Sequence, residues 1–157
     1  MIRPPALMQR AALGLTLAAA AACASSTPEP VNAPKPNSLY VQLGGYDKLA
    51  ALRDDFLGRM LKDSITAPFF AGLSQKELDR IRQMVVDQLC MVTGGPCVYV
   101  GKSMKEAHKN LQITPAVWNE AMRLFSLTLD DFHATHEQRN QLFAIMRSVE
   151  PEIVSSP

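Results

Sequence analysis

Apolar side chains recur every three to four residues over most of the chain from residue 38 onward, which is the spacing of amphipathic helices. Four stripes of this kind predict four long helices, and nearly all of the periodic signal is helical. The predicted fold class is therefore all-α. The stripes are Leu49, Leu52, Phe56 and Met60; Leu78, Ile81, Val85, Leu89 and Val92; Val117, Ala121, Leu124, Phe125, Thr128 and Phe132; and Leu142, Ile145, Met146 and Val149.

Local signals predict where these helices begin and end. Residues 74–77 (Ser-Gln-Lys-Glu) and the pair Thr135 and Gln138 have the spacing of capping boxes, in which two side chains satisfy free amides at a helix start. Pro115 stands at the favoured first position of the third helix. Residues 94–96 (Gly-Gly-Pro) are predicted to stop the second helix, and Pro151 the fourth.

The stretch from residue 97 to residue 113 has no long helical period, although it lies between two well-formed helices. A short helical turn is predicted over residues 104–108, ending at His108. An irregular connection of this length inside a compact helical domain is usually either functional or disordered. Its composition is not that of a disordered segment, so we predict that it carries function.

The N-terminus has the pattern of an export signal. Arg3 and Arg10 precede an apolar run over residues 11–22, and Cys23 follows directly. A charged start, a short apolar run and small residues before the cut are typical of a secretory signal, and this run is short for a permanent membrane span. Residues 1–22 are predicted to be a signal peptide resembling those of bacterial lipoproteins, with Cys23 lipidated. The alternative is ordinary secretion with Cys23 inside the discarded leader.

Residues 23–37 are rich in proline, serine and alanine, with prolines at 28, 30, 34 and 36. Repeated proline prevents helix and sheet formation, so this stretch is predicted to be an extended tether. The folded domain is expected to cover residues 38–154. The protein is expected in the cell envelope, attached to a membrane only through its lipid and facing the periplasm.

Composition narrows the possible partners. The chain has 157 residues, enough for one domain, and 47% of them are hydrophobic. Its formal net charge is +1, which becomes −1 once a leader holding Arg3, Arg10 and no acid is removed. Neither value, nor any dense basic patch, indicates a nucleic-acid partner. No catalytic Ser/His/Asp or Cys/His grouping and no phosphate-binding glycine loop stands out, so hydrolysis and phosphoryl transfer have no candidate residues.

The chain has three histidines, His108, His133 and His136. The last two are three residues apart in a polar helix junction, where a metal site is the less favoured interpretation and a solvated connection the favoured one. A neutral imidazole such as that of His108 is a good axial ligand for haem iron. From spacing alone, however, a lone histidine in a helical domain is more often structural.

Several blocks of the sequence resemble the group I truncated globins, small bacterial haem proteins with a two-over-two α-helical sandwich. The similarity runs from about residue 38 to residue 154, and its most specific block ends at His108. The similar blocks are residues 38–45 (SLYVQLGG), 54–56 (DDF), 67–72 (APFFAG), 93–108 (TGGPCVYVGKSMKEAH) and 112–114 (QIT).

The resemblance implies one haem b (iron protoporphyrin IX) per chain, with His108 as the proximal iron ligand. Many members of the family have a tyrosine where this chain has Leu57, and that tyrosine donates a hydrogen bond to bound oxygen. The opposite helix is expected to present apolar residues, with Gln88 near the edge, so a mostly apolar gas pocket is predicted. The residues expected to contact the haem are His108, Phe69, Phe70, Leu57, Ile81, Val85, Leu89, Tyr99, Met104, Ile113 and Trp118.

Two cysteines remain in the predicted domain, Cys90 and Cys97, on either side of the Gly-Gly-Pro turn. Export to an oxidising compartment favours a disulfide between them, which would connect the end of one helix to the segment leading to His108. The alternative is a pair of buried free thiols, since cysteine behaves as a small hydrophobic residue.

The expected function is reversible binding of oxygen or another diatomic gas, nitric oxide or carbon monoxide. Nitric oxide dioxygenation would need an electron donor, and the sequence has no flavin or nicotinamide motif, so the donor would be a separate protein. The alternative from a different class is a haem-free helical lipoprotein that acts as an interaction module in the envelope.

Overall fold

The structure, a computed structural model, describes residues 33–155. The predicted signal peptide, Cys23 and the tether up to residue 32 lie outside the described residues. Within them the chain forms six α-helices and one 3₁₀ helix. In order these are α1 (Leu39–Gln42), α2 (Gly45–Met60), the 3₁₀ helix (Ala67–Phe70), α3 (Gln75–Val92), α4 (Met104–His108), α5 (Pro115–Asp131) and α6 (His136–Ile153).

The predicted helix starts are confirmed. Both predicted capping boxes form, one at the start of α3 and one at the start of α6. Pro115 occupies the first turn of α5, and the hydroxyl of Thr114 accepts a hydrogen bond from the amide of Val117. These signals are reliable because each depends on side chains only three residues apart.

The predicted end of the last helix is wrong. Pro151 lies inside α6, which continues to Ile153, and the amide of Val154 still donates to the carbonyl of Glu150. Proline removes one donor but leaves the carbonyl groups around it free to accept. Ile153 is buried against Ile113 and Trp118, and this packing favours the extra turn.

The main core joins the two ends of the domain. Its buried residues come from four helices: Leu39 of α1, Leu52 of α2, Phe125 and Leu129 of α5, and Leu142 of α6. The ring of Phe125 meets the ring of Phe56 edge-on at 5.2 Å between centroids, a favourable aromatic geometry. This core brings α2 against the α5–α6 pair.

A second core joins α2 to α3 through Leu49, Val86 and Cys90, which are at most 1% exposed. The backbone of α3 runs close to that of α2, whereas it approaches α4, α5 and α6 at no more than isolated points within residues 33–155. The α2–α3 pair and the α5–α6 pair form the two layers of a two-over-two sandwich, which confirms the predicted fold.

The stripe predicted for the second long helix is not the buried face of α3. Val86 and Cys90 are fully buried, whereas Ile81, Val85 and Leu89 are only half-buried. A period of 3.6 residues identifies an apolar face but does not say what the face packs against. Within residues 33–155, no helix is both long and apolar enough to cross a membrane.

Candidate functional site

The short helix α4 ends at His108 and is held at its first turn. The hydroxyl of Ser103 accepts a hydrogen bond from the amide of Glu106, and the Glu106 carboxylate accepts one from the amide of Ser103, which makes a capping box. A carboxylate oxygen of Glu152 on α6 accepts a bond from the amide of Lys105 at 3.4 Å. The sequence analysis missed this capping box, although the Ser-Met-Lys-Glu pattern of residues 103–106 contains it.

The imidazole of His108 is oriented by its own helix. Nδ1 lies 2.8 Å from the carbonyl oxygen of Met104, one turn earlier, and the ring is half-buried. Because a carbonyl oxygen can only accept, Nδ1 carries the proton in the neutral imidazole, and Nε2 then has the lone pair. Nε2 has no hydrogen-bond partner among residues 33–155, so it is available to a metal ion.

Four of the residues predicted to contact the haem gather around α4. Ile113 and Trp118 are buried together with Ile153, and Phe69 and Met104 pack against them while remaining partly exposed. These four come from the 3₁₀ helix, α4, the link before α5 and α5, and Ile153 comes from the end of α6. Together they form an apolar wall beside the element that carries His108.

A second group of predicted residues lies on the α2–α3 layer. Leu57 is buried in α2, and Ile81, Val85 and Leu89 follow the half-buried face of α3. Leu89 also packs against the Leu49 core. None of these residues belongs to the Trp118 cluster.

The remaining two predicted residues lie at the edges. Phe70 is half-buried at the end of the 3₁₀ helix. Tyr99 lies in the connection between α3 and α4, where its hydroxyl donates to the carbonyl of Lys102 at 2.7 Å. Burial raises the pKa of the Tyr99 phenol, so this group is a neutral donor near pH 7.

Polar side chains of α3 mostly turn away from the half-buried apolar face. The amide of Gln83 donates to the hydroxyl of Tyr46 and to the carboxylate of Asp87, and Tyr46 donates to Asp87 at 3.1 Å. Gln88 differs, because it is half-buried and its amide makes no hydrogen bond with the described residues. It is the residue that the sequence analysis placed at the edge of the gas pocket.

The link from His108 to α5 contains unusual backbone. Asn110 and Gln112 have φ values of 70° and 52°, in the left-handed region that side chains other than glycine seldom adopt. Asparagine tolerates this region better than glutamine. The link is therefore strained at Gln112, immediately before the buried Ile113.

Cys90 and Cys97 are joined by a disulfide, the pairing that the sequence analysis favoured, with Cα atoms 5.7 Å apart. Cys90 is the fully buried partner, and Cys97 packs against the same core. The bond connects the last turn of α3 to the segment that leads to α4.

The other two histidines lie at the α5–α6 corner, away from this site. His133 has a φ of 50° and lines a cavity of about 500 Å³ together with Leu43, Lys48 and Phe132. The Nδ1 atom of His136 lies 3.1 Å from the amide nitrogen of Asn140. The cavity contains none of the residues predicted to contact haem, and its polar rim has no evident functional explanation.

The residues of these two groups, together with His108, fit a haem. A porphyrin needs two apolar walls and an axial nitrogen with a free lone pair. The Trp118 cluster and the half-buried face of α3 supply the walls, and Nε2 of His108 supplies the nitrogen. A small helical sandwich with one half-buried, oriented imidazole defines a globin-like class of protein.

Comparison with known proteins identifies the family. The model of the bacterial-like globin family matches residues 38–155. The chain is 29% identical over 139 residues to a group 1 truncated hemoglobin of Chlamydomonas moewusii, covering 87% of this chain and 79% of that protein. It is 26% identical over 120 residues to the group 1 truncated hemoglobin of Tetrahymena pyriformis, covering 76% and 97%.

The crystal structure of the Tetrahymena pyriformis protein in its Fe(III) form superposes with a TM-score of 0.69 at 24% identity, covering 76% of this chain and 99% of that one. The chain therefore belongs to the bacterial-like globin family, and its fold is that of a truncated globin. Membership of a globin family implies haem as the cofactor and a diatomic gas as its ligand.

Proposed function

We propose that the chain binds one haem b, that Nε2 of His108 is the proximal ligand of the iron, and that a diatomic gas binds on the opposite face. One observation carries the proposal: the 2.8 Å contact between Nδ1 of His108 and the carbonyl oxygen of Met104. This contact fixes the proton on one ring nitrogen and leaves the other free. When bound, haem would supply an iron able to bind a diatomic gas.

The chain's own residues would hold the cofactor by shape and by exclusion of water. Trp118 and Ile113 are 5% and 9% exposed, so the wall beside α4 is dry before any ligand binds. On the opposite layer Val85 and Leu89 are half-buried, which leaves apolar area that a porphyrin would cover. Burial of apolar area contributes about 25 cal/mol per Å², so a flat ring that covers the half-buried α3 face gains affinity from area alone.

The gas pocket is proposed to be mostly apolar. Leu57 lies where many relatives place a hydrogen-bonding tyrosine, and Ile81 and Val85 have no polar group. Gln88 is a polar residue that stands next to this face of α3 in the sequence. Its side-chain amide has no hydrogen-bond partner among the described residues. Without a strong donor, oxygen is expected to dissociate quickly and carbon monoxide to be relatively favoured.

One physiological use of such a site is detoxification of nitric oxide. Dioxygenation consumes oxygen, nitric oxide and an electron, and the electron would come from a separate donor protein, since the sequence has no flavin or nicotinamide motif. Transport of oxygen would need no donor. The two uses are separated by measuring whether the protein consumes nitric oxide only when a reductase is added.

The location proposed for the protein is the periplasmic side of a membrane, with the lipid on Cys23 as the anchor. The disulfide between Cys90 and Cys97 supports an oxidising compartment. In cells, the wild-type protein should fractionate with membranes and the Cys23→Ser variant with soluble protein. Equal fractionation of the two would contradict the lipid anchor.

The binding proposal is tested by titrating the purified full chain with haemin and recording the Soret band. We expect saturation at one haem per chain in the wild type and loss or a large shift of the band in His108→Ala. His133→Ala is the matched control, because His133 is an exposed histidine at the α5–α6 corner, and its spectrum should be unchanged. An unchanged spectrum in His108→Ala, or no Soret band in the wild type, would overturn the proposal.

A further inference from the structure

The disulfide joins a well-packed part of the chain to a part that has few contacts. Cys90 is fully buried against Leu49 and Val86, in the core between α2 and α3. Cys97 begins segment 97–102, which leads to α4 and His108. The disulfide therefore connects a rigid core to the start of a segment that borders the proposed haem site.

Segment 97–102 is weakly held along its length. Within residues 33–155 its backbone makes no backbone hydrogen bond, and its one side-chain bond is internal, from the Tyr99 hydroxyl to the Lys102 carbonyl. Val98 and Val100 are 66% and 77% exposed. The segment is consequently held mainly at its two ends.

The chain on both sides of the segment is fixed independently of the disulfide. Before it, the amide of Gly95 donates to the carbonyl of Cys90 at 2.8 Å, and the amide of Tyr40 donates to the carbonyl of Thr93 at 2.8 Å. After it, the capping box of Ser103 fixes the start of α4. Without the disulfide the free chain would run from Gly95 to Ser103.

The disulfide moves the first fixed point forward from Gly95 to Cys97. Two fewer free residues reduce the reach of the chain by about 7 Å, at roughly 3.4 Å per extended residue. This matters because α4 packs against α6 but approaches α3 at no more than isolated points among the described residues. The connection therefore limits how far α4 can move from α3 whenever its packing against α6 loosens.

We propose that the Cys90–Cys97 disulfide is a positioning device that limits the separation of α3 and α4 and so retains the haem. The inference rests on the proposed function, because the retained ligand is the haem that His108 is proposed to bind. Without the disulfide, α4 can move farther from α3, by the added reach of two residues, whenever its packing against α6 loosens. The haem then escapes faster, although His108 and both apolar walls are intact.

The test compares haem loss from full-length holoproteins. Ferric wild type and Cys97→Ser are mixed with an excess of a haem-free acceptor globin, and the transfer rate is followed by absorbance. Cys97→Ser leaves Cys90 in the core as a small buried side chain, so the packing between α2 and α3 is kept. We expect transfer from the variant to be about tenfold faster than from the wild type.

A matched control separates retention from general stability. Thr128→Val removes the hydrogen bond from the Thr128 hydroxyl to Asp55, at 2.6 Å, in a part of α5 far along the chain from the disulfide. It destabilises the fold but keeps segment 97–102 connected to Cys90. Its transfer rate should stay within about twofold of the wild type.

Chemical reduction provides a second route if Cys97→Ser folds poorly. A trialkylphosphine takes one oxygen from water and becomes the phosphine oxide while the disulfide becomes two thiols. The apoprotein is reduced in this way, the phosphine is removed, and haemin is added. Reduced wild type should then lose haem as fast as Cys97→Ser.

The outcomes are distinguishable. Absence of a Soret band in the wild type overturns the proposed function and this inference with it. A normal Soret band with equal transfer rates in oxidised wild type, reduced wild type and Cys97→Ser overturns the positioning role alone. Equal acceleration in Thr128→Val and Cys97→Ser also overturns it, because the effect would then be one of stability.

Discussion

The Nδ1 atom of His108 lies 2.8 Å from the carbonyl oxygen of Met104, within a helix of only five residues. A free helix of this length is unstable in water, since the first turn costs more conformational entropy than one hydrogen bond returns. The Ser103–Glu106 capping box and the contact from Glu152 stabilise it. The orientation of the imidazole therefore depends on residues that do not touch the proposed ligand.

The polarity of the gas pocket can be read from the carbon–oxygen stretch of the ferrous carbonyl complex. Leu57, Ile81 and Val85 offer no hydrogen-bond donor, so we expect a frequency typical of an apolar pocket. Gln88→Leu should leave the frequency nearly unchanged if the amide stays at the edge. A wild-type frequency typical of strong hydrogen bonding, lost in Gln88→Leu, would show that Gln88 reaches the gas.

Two glycine-to-alanine changes should have opposite effects on stability. A Cβ at Gly95 would lie 2.6 Å from Sγ and 2.8 Å from the carbonyl oxygen of Cys90, whereas a Cβ at Gly58, inside α2, would meet nothing within 4 Å. Gly95→Ala should lower the free energy of unfolding by about 1–3 kcal/mol through overpacking. Gly58→Ala should raise it by roughly 0.5–1 kcal/mol, because alanine is the better helix former.

Urea unfolding of the two variants beside the wild type measures both effects. The comparison is informative because the chemical change is identical and only the surroundings differ. A stabilised or unchanged Gly95→Ala would mean that the turn before Pro96 is looser than its hydrogen bonds indicate.

Stability at low pH should depend on Asp55. Its carboxylate accepts hydrogen bonds from Arg59 and Thr128, each at 2.6 Å, and Arg59 also pairs with Asp131. The bond from Arg59 is the largest cause of a lowered Asp55 pKa, and partial burial acts in the opposite direction.

Because the folded pKa is lower than the unfolded one, the unfolded chain binds more protons as the pH falls. The stabilisation is fully present above the unfolded pKa, near pH 4, and is lost as the pH falls through the folded pKa. Below about pH 4 the unfolding free energy should therefore fall more steeply in wild type than in Asp55→Asn. Asp47→Asn, at an exposed position of the same helix, should keep the wild-type slope, and an unchanged slope in Asp55→Asn would refute the prediction.

The features that sequence predicted best are local. The capping boxes of α3 and α6 need only side chains three residues apart, and Pro115 fixes the start of α5 through its own ring. The short helix ending at His108 was predicted from its place between two long helices and is confirmed. The resemblance around His108 gave the family, which the match over residues 38–155 confirms.

The features that could not be predicted from sequence depend on packing between residues far apart in the chain. Pro151 was expected to end the last helix, but burial of Ile153 against Trp118 favours one more turn. The sequence shows the apolar stripe of α3. It does not show that Val86 and Cys90 form the buried face of this helix while Val85 is half-buried. Spacing also left the state of the cysteines open, because a separation of seven residues does not fix the distance between two Cα atoms.

The most direct test of the account is the iron–histidine stretching band in the resonance Raman spectrum of the ferrous protein. With ¹⁵N-labelled histidine this band should shift in the wild type, and it should be missing in His108→Gly and return when imidazole is added to that variant. A labelled-histidine shift that persists in His108→Gly without imidazole, or a wild-type spectrum without any label-sensitive band, would contradict coordination by His108.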